Sequence, residues 1–372
     1  MGQDRTLSDH AVNPPLAALV LVALAGAIFM LPLLPAIVEL RLKRDAQPLN
    51  VIQQHAGEIR YFANGFRKVA VELQGPLRDC VALGTTAAGK LPDGDEYLLI
   101  GRVDKETWTR GGKPLAICRV VVAAGADAAL PDGMTFVKEI YAAGQLIGGN
   151  GNTYRAILGE KDVRLQRTSK VTRWAHAVGA FRAEHDCDLY GRVSSDREID
   201  LQSGCVFQRL NAPRISFGDA AADFGQVTSG APDAVAGPQS SSAPAGRTLY
   251  DEDLDIPPGA VIPGSIVTRG KLRIGAGARV LGSAKSDSAM IVDAGACVEG
   301  SLISAATMHI GRDCRVGGPV VAERGIVVES GTRCGAIHAQ TTVSAPTIEI
   351  EEGALVFGTL WARDEGRVVP KA

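Results

Sequence analysis

Few residues of this chain have the types and spacing that chemistry requires. The octapeptide Gly84 to Leu91, GTTAAGKL, nearly spells a phosphate-binding loop. That motif needs Ser or Thr after its lysine to hold magnesium; Leu91 stands there, and Pro92 stops any extended helix. GGNGN, Gly148 to Asn152, suits a sharp corner better than a dinucleotide fingerprint. A general base would come from His309 or His338, but His309 lies between Met308 and Ile310, so strand alternation turns it outward. No second polar constellation accompanies either histidine. The seven cysteines are odd in number and include no C-x-x-C pair, so zinc and redox motifs fail on spacing. Cys187 and Cys205 are separated by the period of the repeat described below, which stacks them on neighbouring turns; as a metal or disulfide site they compete with the common case of small buried thiols. The acidic run Asp251-Glu252-Asp253 reads as a solvated start of a repeat. No catalytic, cofactor-binding or metal-ligating residue is assigned, and the expectation is a protein that is not an enzyme.

The elements that position these residues are repetitive. GARVLGS at Gly277 to Ser283 returns as GACVEGS at Gly295 to Ser301, eighteen positions on, and DCRVGGP follows at Asp313. In that register Ile256, Ile274, Val292, Ile310 and Val328 recur at every eighteenth position, with Ile350 after an insertion of four. Six residues beyond each stand Ile262, Val280, Val298, Val316, Cys334 and Val356. Glycines recur at two further slots, one through Gly259, Gly277 and Gly295, the other through Gly264, Gly282 and Gly300. Eighteen residues divide into three short strands separated by bends, and successive coils stack about 4.8 Å apart. The reading is an all-β fold, a triangular β-solenoid with those apolar columns inside and glycine at its corners. A less regular copy precedes it: Leu165, Ala183 and Leu201 share the same interval, Val171, Leu189 and Phe207 follow each by six, and Ile147 falls one period earlier. Low aromatic content, 5%, and 43 glycines fit thin stacked strands.

At the other end, no charged residue occurs between positions 16 and 38. That length spans a bilayer core as a helix. The rival, a secretory signal cut near Ala23-Leu24-Ala25, lacks a basic leader, and the apolar run continues past the cut. Arg41, Lys43 and Arg44 follow the segment and only Arg5 precedes it, which orients the remainder to the cytoplasm and sets a basic flank against anionic lipid. Ile52, His55, Ile59, Phe62, Phe66, Val69 and Leu73 then step by three and four, a helical stripe. The expected organisation is a tail (1–15), a transmembrane helix (16–38), a juxtamembrane helix (39–75), a β-rich cap (76–129), a first solenoid (130–217), a flexible linker (218–248) and a second solenoid (249–369). A net charge of −2 leaves no footprint for nucleic acid.

IPGSIVTRGKLRIGAGARVLGSA and VEGSLISAATMHIGRDCRVGGPVVAERGIVV, within residues 250–369, resemble bactofilins, bacterial cytoskeletal proteins. The resemblance implies a right-handed triangular β-helix that polymerises end to end without nucleotide and scaffolds envelope machinery, so the expected partners are the membrane, further copies of the chain and envelope proteins. The implied place is the bacterial inner membrane, in a single pass. Since the chain stops soon after the last coil, in RVVPKA, Val356, Leu360, Trp361 and Val368 are the expected self-association surface. Two other readings stand beside this one: a hexapeptide-repeat-type acyltransferase using His309 or His338 on an envelope sugar, and a periplasmic β-helix that binds polysaccharide.

Overall fold

The structure is a computed structural model describing residues 14–31, 59–101, 109–110, 113–114, 116–117, 119–123, 128–218 and 246–371. It divides into two units, Met1–Glu58 and Ile59–Ala372. In the first, helix α1 covers Pro14–Met30, about 25 Å at ~1.5 Å per residue. Among the described residues no helix is long and apolar enough to cross a membrane. Of the transmembrane helix expected over 16–38, the described residues contain this shorter helix. Residues 32–38, like Ile52 and His55 of the helical stripe, lie outside the described residues.

The second unit is a β-solenoid of about 12 turns, some 55–60 Å long at ~4.8 Å per turn. Three parallel ladders build it, because each coil contributes one strand to each face. On one face Leu254, Leu272, Met290, Met308 and Ile326 stand in direct register, and Ile326 then pairs with Ile348 across the insertion. On the next Ile262, Val280, Val298, Val316, Cys334 and Val356 align in the same way. Of the expected core column, Ile256, Ile274, Val280, Val292, Val298, Ile310, Val316 and Val328 are all buried, whereas Ile262 is only half-buried. The first segment stacks equivalently, with Phe136, Tyr154, Val171, Leu189 and Phe207 in one inward column.

The two glycine slots recur along the rod for different reasons. Gly259, Gly277, Gly295, Gly331 and Gly353 all have positive φ, and where the slot lacks glycine Asp313 takes φ 57° itself. At Gly282 and Gly300 a Cβ would instead come within 2.6 and 2.4 Å of the coil below.

Several expectations need correction. Ile147 is not in the inward column: Leu146 pairs with Val163 and is buried, and Ile147 pairs with the outward Arg164. The step from Leu146 to Val163 falls one residue short of the regular eighteen, and a slip of one moves a side chain to the other face. The expected β-rich cap begins with a helix, Gln74–Leu83, and its later strands belong to the solenoid itself. Glu96–Ile100 stacks in parallel on Val120–Ala123, which stacks on Thr135–Ala142. The described part of the expected juxtamembrane helix is α2, Tyr61–Glu72, and Gln74–Leu83 follows it as α3. Both lie on a solenoid face through Ala63, Ala70, Leu73, Leu77 and Cys80, leaving Phe62 exposed. Of the expected linker, 219–245 lies outside the described residues, and Thr248–Tyr250 is a strand.

The largest departure is at the carboxyl end. Strand Leu355–Val369 pairs antiparallel with Val206–Phe217, the last strand of the first segment. The two solenoids thus meet last coil to last coil, and one hydrophobic core runs through both. Leu360, fully buried, sits between Leu210 and Val343. Replacing it by Asp should lower stability by about 3–5 kcal/mol in urea unfolding, while Ile303→Asp on the open surface should change it by no more than about 0.5 kcal/mol.

Candidate functional site

Three places gather polar groups or open backbone: the two ends of the second solenoid and the polar cluster under α2. The residues expected to bind another chain form the first. Val356, Leu360 and Val368 are buried by their own chain; Val356 faces Ile215 and Leu360 faces Leu210, while the Val368 carbonyl accepts from Gly204 N–H at 2.9 Å. Trp361 stays half exposed, with the Arg209 guanidinium 5.5 Å above its ring. The Asn211 amide donates to Thr359 Oγ1 at 2.9 Å across the same seam. Val356, Leu360 and Val368 close the rod internally, so they are not a free intermolecular surface, whereas Trp361 keeps about half of its surface open.

The end that lacks a neighbouring coil among the described residues is the opposite one. Among the described residues Thr248–Tyr250, Leu254–Ile256 and Val261–Ile262 have ladder partners on one side only. Their apolar side chains show it. Leu254, Ala260 and Ile262 are half-buried although Leu272, Ala278 and Val280 one coil further on are buried, and Leu249 and Val261 are 56% and 58% exposed. An unpaired β edge with apolar side chains is a template for another strand. Sequence reading missed this surface because Leu254 and Ile262 match the core column in type and spacing; what sets them apart is that the described residues include no coil beneath them.

Under α2 sits a Ser–His–Asp grouping. His176 Nδ1 and Ser194 Oγ share a 2.9 Å hydrogen bond, and His176 Nε2 stands 3.8 Å from Asp196, beyond hydrogen-bond reach. Ser194 and His176 are each 1% exposed, which denies a substrate access to the hydroxyl. Asp196 is instead engaged by Arg60 at 3.0 Å, and two turns along, Arg67 binds Glu160 at 2.9 Å. The grouping fastens a helix to the rod. Its signal in the sequence was that His176 and Ser194 are one repeat apart, which a search for the regular apolar columns passes over.

Cys187 and Cys205 are free and buried; their thiols donate to the carbonyls of Gln166 at 3.2 Å and Glu184 at 3.1 Å. Burial pushes the Cys314 and Cys334 thiols up to about 11 and about 12. No cluster of potential metal ligands occurs among the described residues. His309 faces outward and meets Glu329 at 2.9 Å, and His338 lies exposed in the insertion. Lys90, of the loop that resembles a phosphate-binding motif, ends strand Thr86–Lys90 of an antiparallel hairpin. Protein-family models, curated proteins and solved structures all gave no match to the chain.

Burial, reinforced by Arg60 and Arg67 against the opposing pull of Asp196 and Glu160, lowers the His176 pKa to about 4. An unfolded histidine titrates near 6.5, so between those values the unfolded chain binds the extra proton. Stability should therefore be intact above about pH 6.5 and fall by up to ~3 kcal/mol as pH drops towards 4. In His176→Gln the unfolding free energy measured across this range should lose that slope.

Proposed function

We propose that the protein is a structural scaffold of bactofilin type, a rod that associates with a second copy through the open coil at 248–262. The observation that carries this reading is the one-sided pairing of that coil, with Leu249 and Val261 more than half exposed. The chain supplies a template for such a contact in its own seam, where Val206–Phe217 and Leu355–Val369 join antiparallel. Two copies joined in the same sense at their open ends make an isologous, closed contact that doubles the rod to about 110–120 Å. Parallel stacking on a further copy would need a second open end; at the far end of this rod Thr86–Lys90 pairs antiparallel on Glu96–Ile100, and α3 packs beside Leu99.

The same reading places the rod at a bacterial inner membrane, its solenoid in the cytoplasm and envelope proteins among its partners. Support comes from α1, where the consecutive Leu19, Val20, Leu21 and Val22 are each more than half exposed, so the helix is apolar all round. The uncharged run continues beyond it through 32–38. Such a segment needs lipid or protein around it.

Sedimentation of the full chain, taken from membranes in detergent, tests both halves. The expected result is a chain that pellets with membranes and runs as a dimer, with Val261→Asp and Ile262→Asp monomeric and folded. A monomer at all concentrations, or variants that still dimerise, would remove the association; a chain left in the supernatant would remove the membrane.

A further inference from the structure

One face of the rod is a single outward ladder that crosses the seam. Arg192 pairs with Arg209, Arg209 with Trp361, and the column continues through Ser344 to Val321 and Ile303. Its two halves differ in what covers them. In the first segment α2 lays Ala63, Phe66 and Ala70 over Ala156, Leu158 and Trp174. In the second, Trp361, Val321 and Ile303 are 48%, 37% and 39% exposed.

The covered half shows what the face accepts. A helix turn rises about 5.4 Å and a coil about 4.8 Å, so a helix along the rod meets nearly one coil per turn. Phe62 lies 5.3 Å from the Arg192 guanidinium and Phe66 6.0 Å from the Trp174 ring, one helix turn along for one coil along the rod. Arg60 and Arg67, two turns apart, reach Asp196 and Glu160. Those acids occupy one corner of the coil, two coils apart, with their N–H groups donating to Ala177 and Ala142.

The open half repeats this corner. Glu323 and Asp287 fill the same coil position, their N–H groups donating to Ser304 and Thr268, again two coils apart. Both are exposed, and Asp287 meets the surface Lys285 at 3.1 Å, a pair of little strength. Apolar column and acidic corner thus recur together, carried across the seam by its antiparallel pairing.

We propose that the open half of this face docks an amphipathic helix of a partner protein, one that carries apolar residues at successive turns and two arginines or lysines two turns apart. The occupant is inferred from continuity with the α2 interface and from charge complementarity to Glu323 and Asp287. The site shares no residue with the open coil at 248–262, so it stands or falls separately from self-association. Reversal of the second segment at the seam sets the first basic residue on Glu323, nearest the seam, and the second on Asp287.

A labelled peptide of residues 59–84, the chain's own α2 and α3, serves as the probe against the full chain in detergent. Fluorescence anisotropy should show saturable binding in the micromolar range, weakened about tenfold or more by Val321→Glu and by Glu323→Arg. Peptide Arg60→Glu should bind poorly to the parent and recover on Glu323→Arg. Since Val321 and Glu323 are exposed, both variants should keep the parent's unfolding transition. Absence of binding overturns the proposal. So does equal binding to Val321→Glu, which would mean exchange with the chain's own α2 or uptake by the micelle. If Val321→Glu alone dissociates the parent's oligomer, the occupant is a second copy, and the partner assignment fails.

Discussion

Each coil of the rod holds its shape because the coil beneath presents a similar side chain at the same height. Ile274 rests between Ile256 and Val292, and Met290 between Leu272 and Met308. Removal of this contact leaves, between Leu254 and Cys334, strands of two to four residues, too short to persist alone. The ladder hydrogen bonds and the apolar columns therefore come as one cooperative array, and stability is close to a sum over neighbouring coils. Ion pairs between coils, such as Arg273 with Asp293 at 2.9 Å, lie on the exposed surface and add little.

Such an array has one structural liability, its two ends. This chain resolves it by folding two solenoids in opposite senses and sealing last coil against last coil. Phe207 helps to fill the seam, and Gly366 opposite it leaves no room for a side chain, since a Cβ there would meet the ring at 2.2 Å. The far end of the first segment is flanked by helices and a hairpin. Among the described residues the coil at 248–262 is the end left without a neighbour, which makes it the natural place for contact with another chain. His176, Ser194 and the thiols of Cys187, Cys205, Cys314 and Cys334 are buried within the packed rod.

Legibility followed regularity. The second solenoid could be read position by position because its columns of Ile, Val and Met return at one constant interval and its corners are marked by glycine. In the first segment Thr168 and Asp186 adopt positive φ where glycine would have shown the corner, and the shorter coil at Leu146 breaks the count. The seam could not be read at all. Nothing in Leu355–Val369 says that its partner lies far back in the chain, at Val206–Phe217, and runs the other way, because parallel and antiparallel partners ask for the same alternation of inward and outward side chains. The stripe at Ile59, Phe66 and Leu73 gave the helix, but which face it covers depended on Arg60 and Arg67 finding Asp196 and Glu160.

Closure of the carboxyl-terminal coil by its own chain is what the rest of the rod depends on. Cysteines placed at Asn211 and Thr359, which face each other across the seam, test it most directly. Oxidised at high dilution, the double variant should form a disulfide within one chain and sediment as the parent does. Cross-linked dimers alone, or no disulfide, would show that the last coil is open and would return Val356, Leu360 and Val368 to contact between chains.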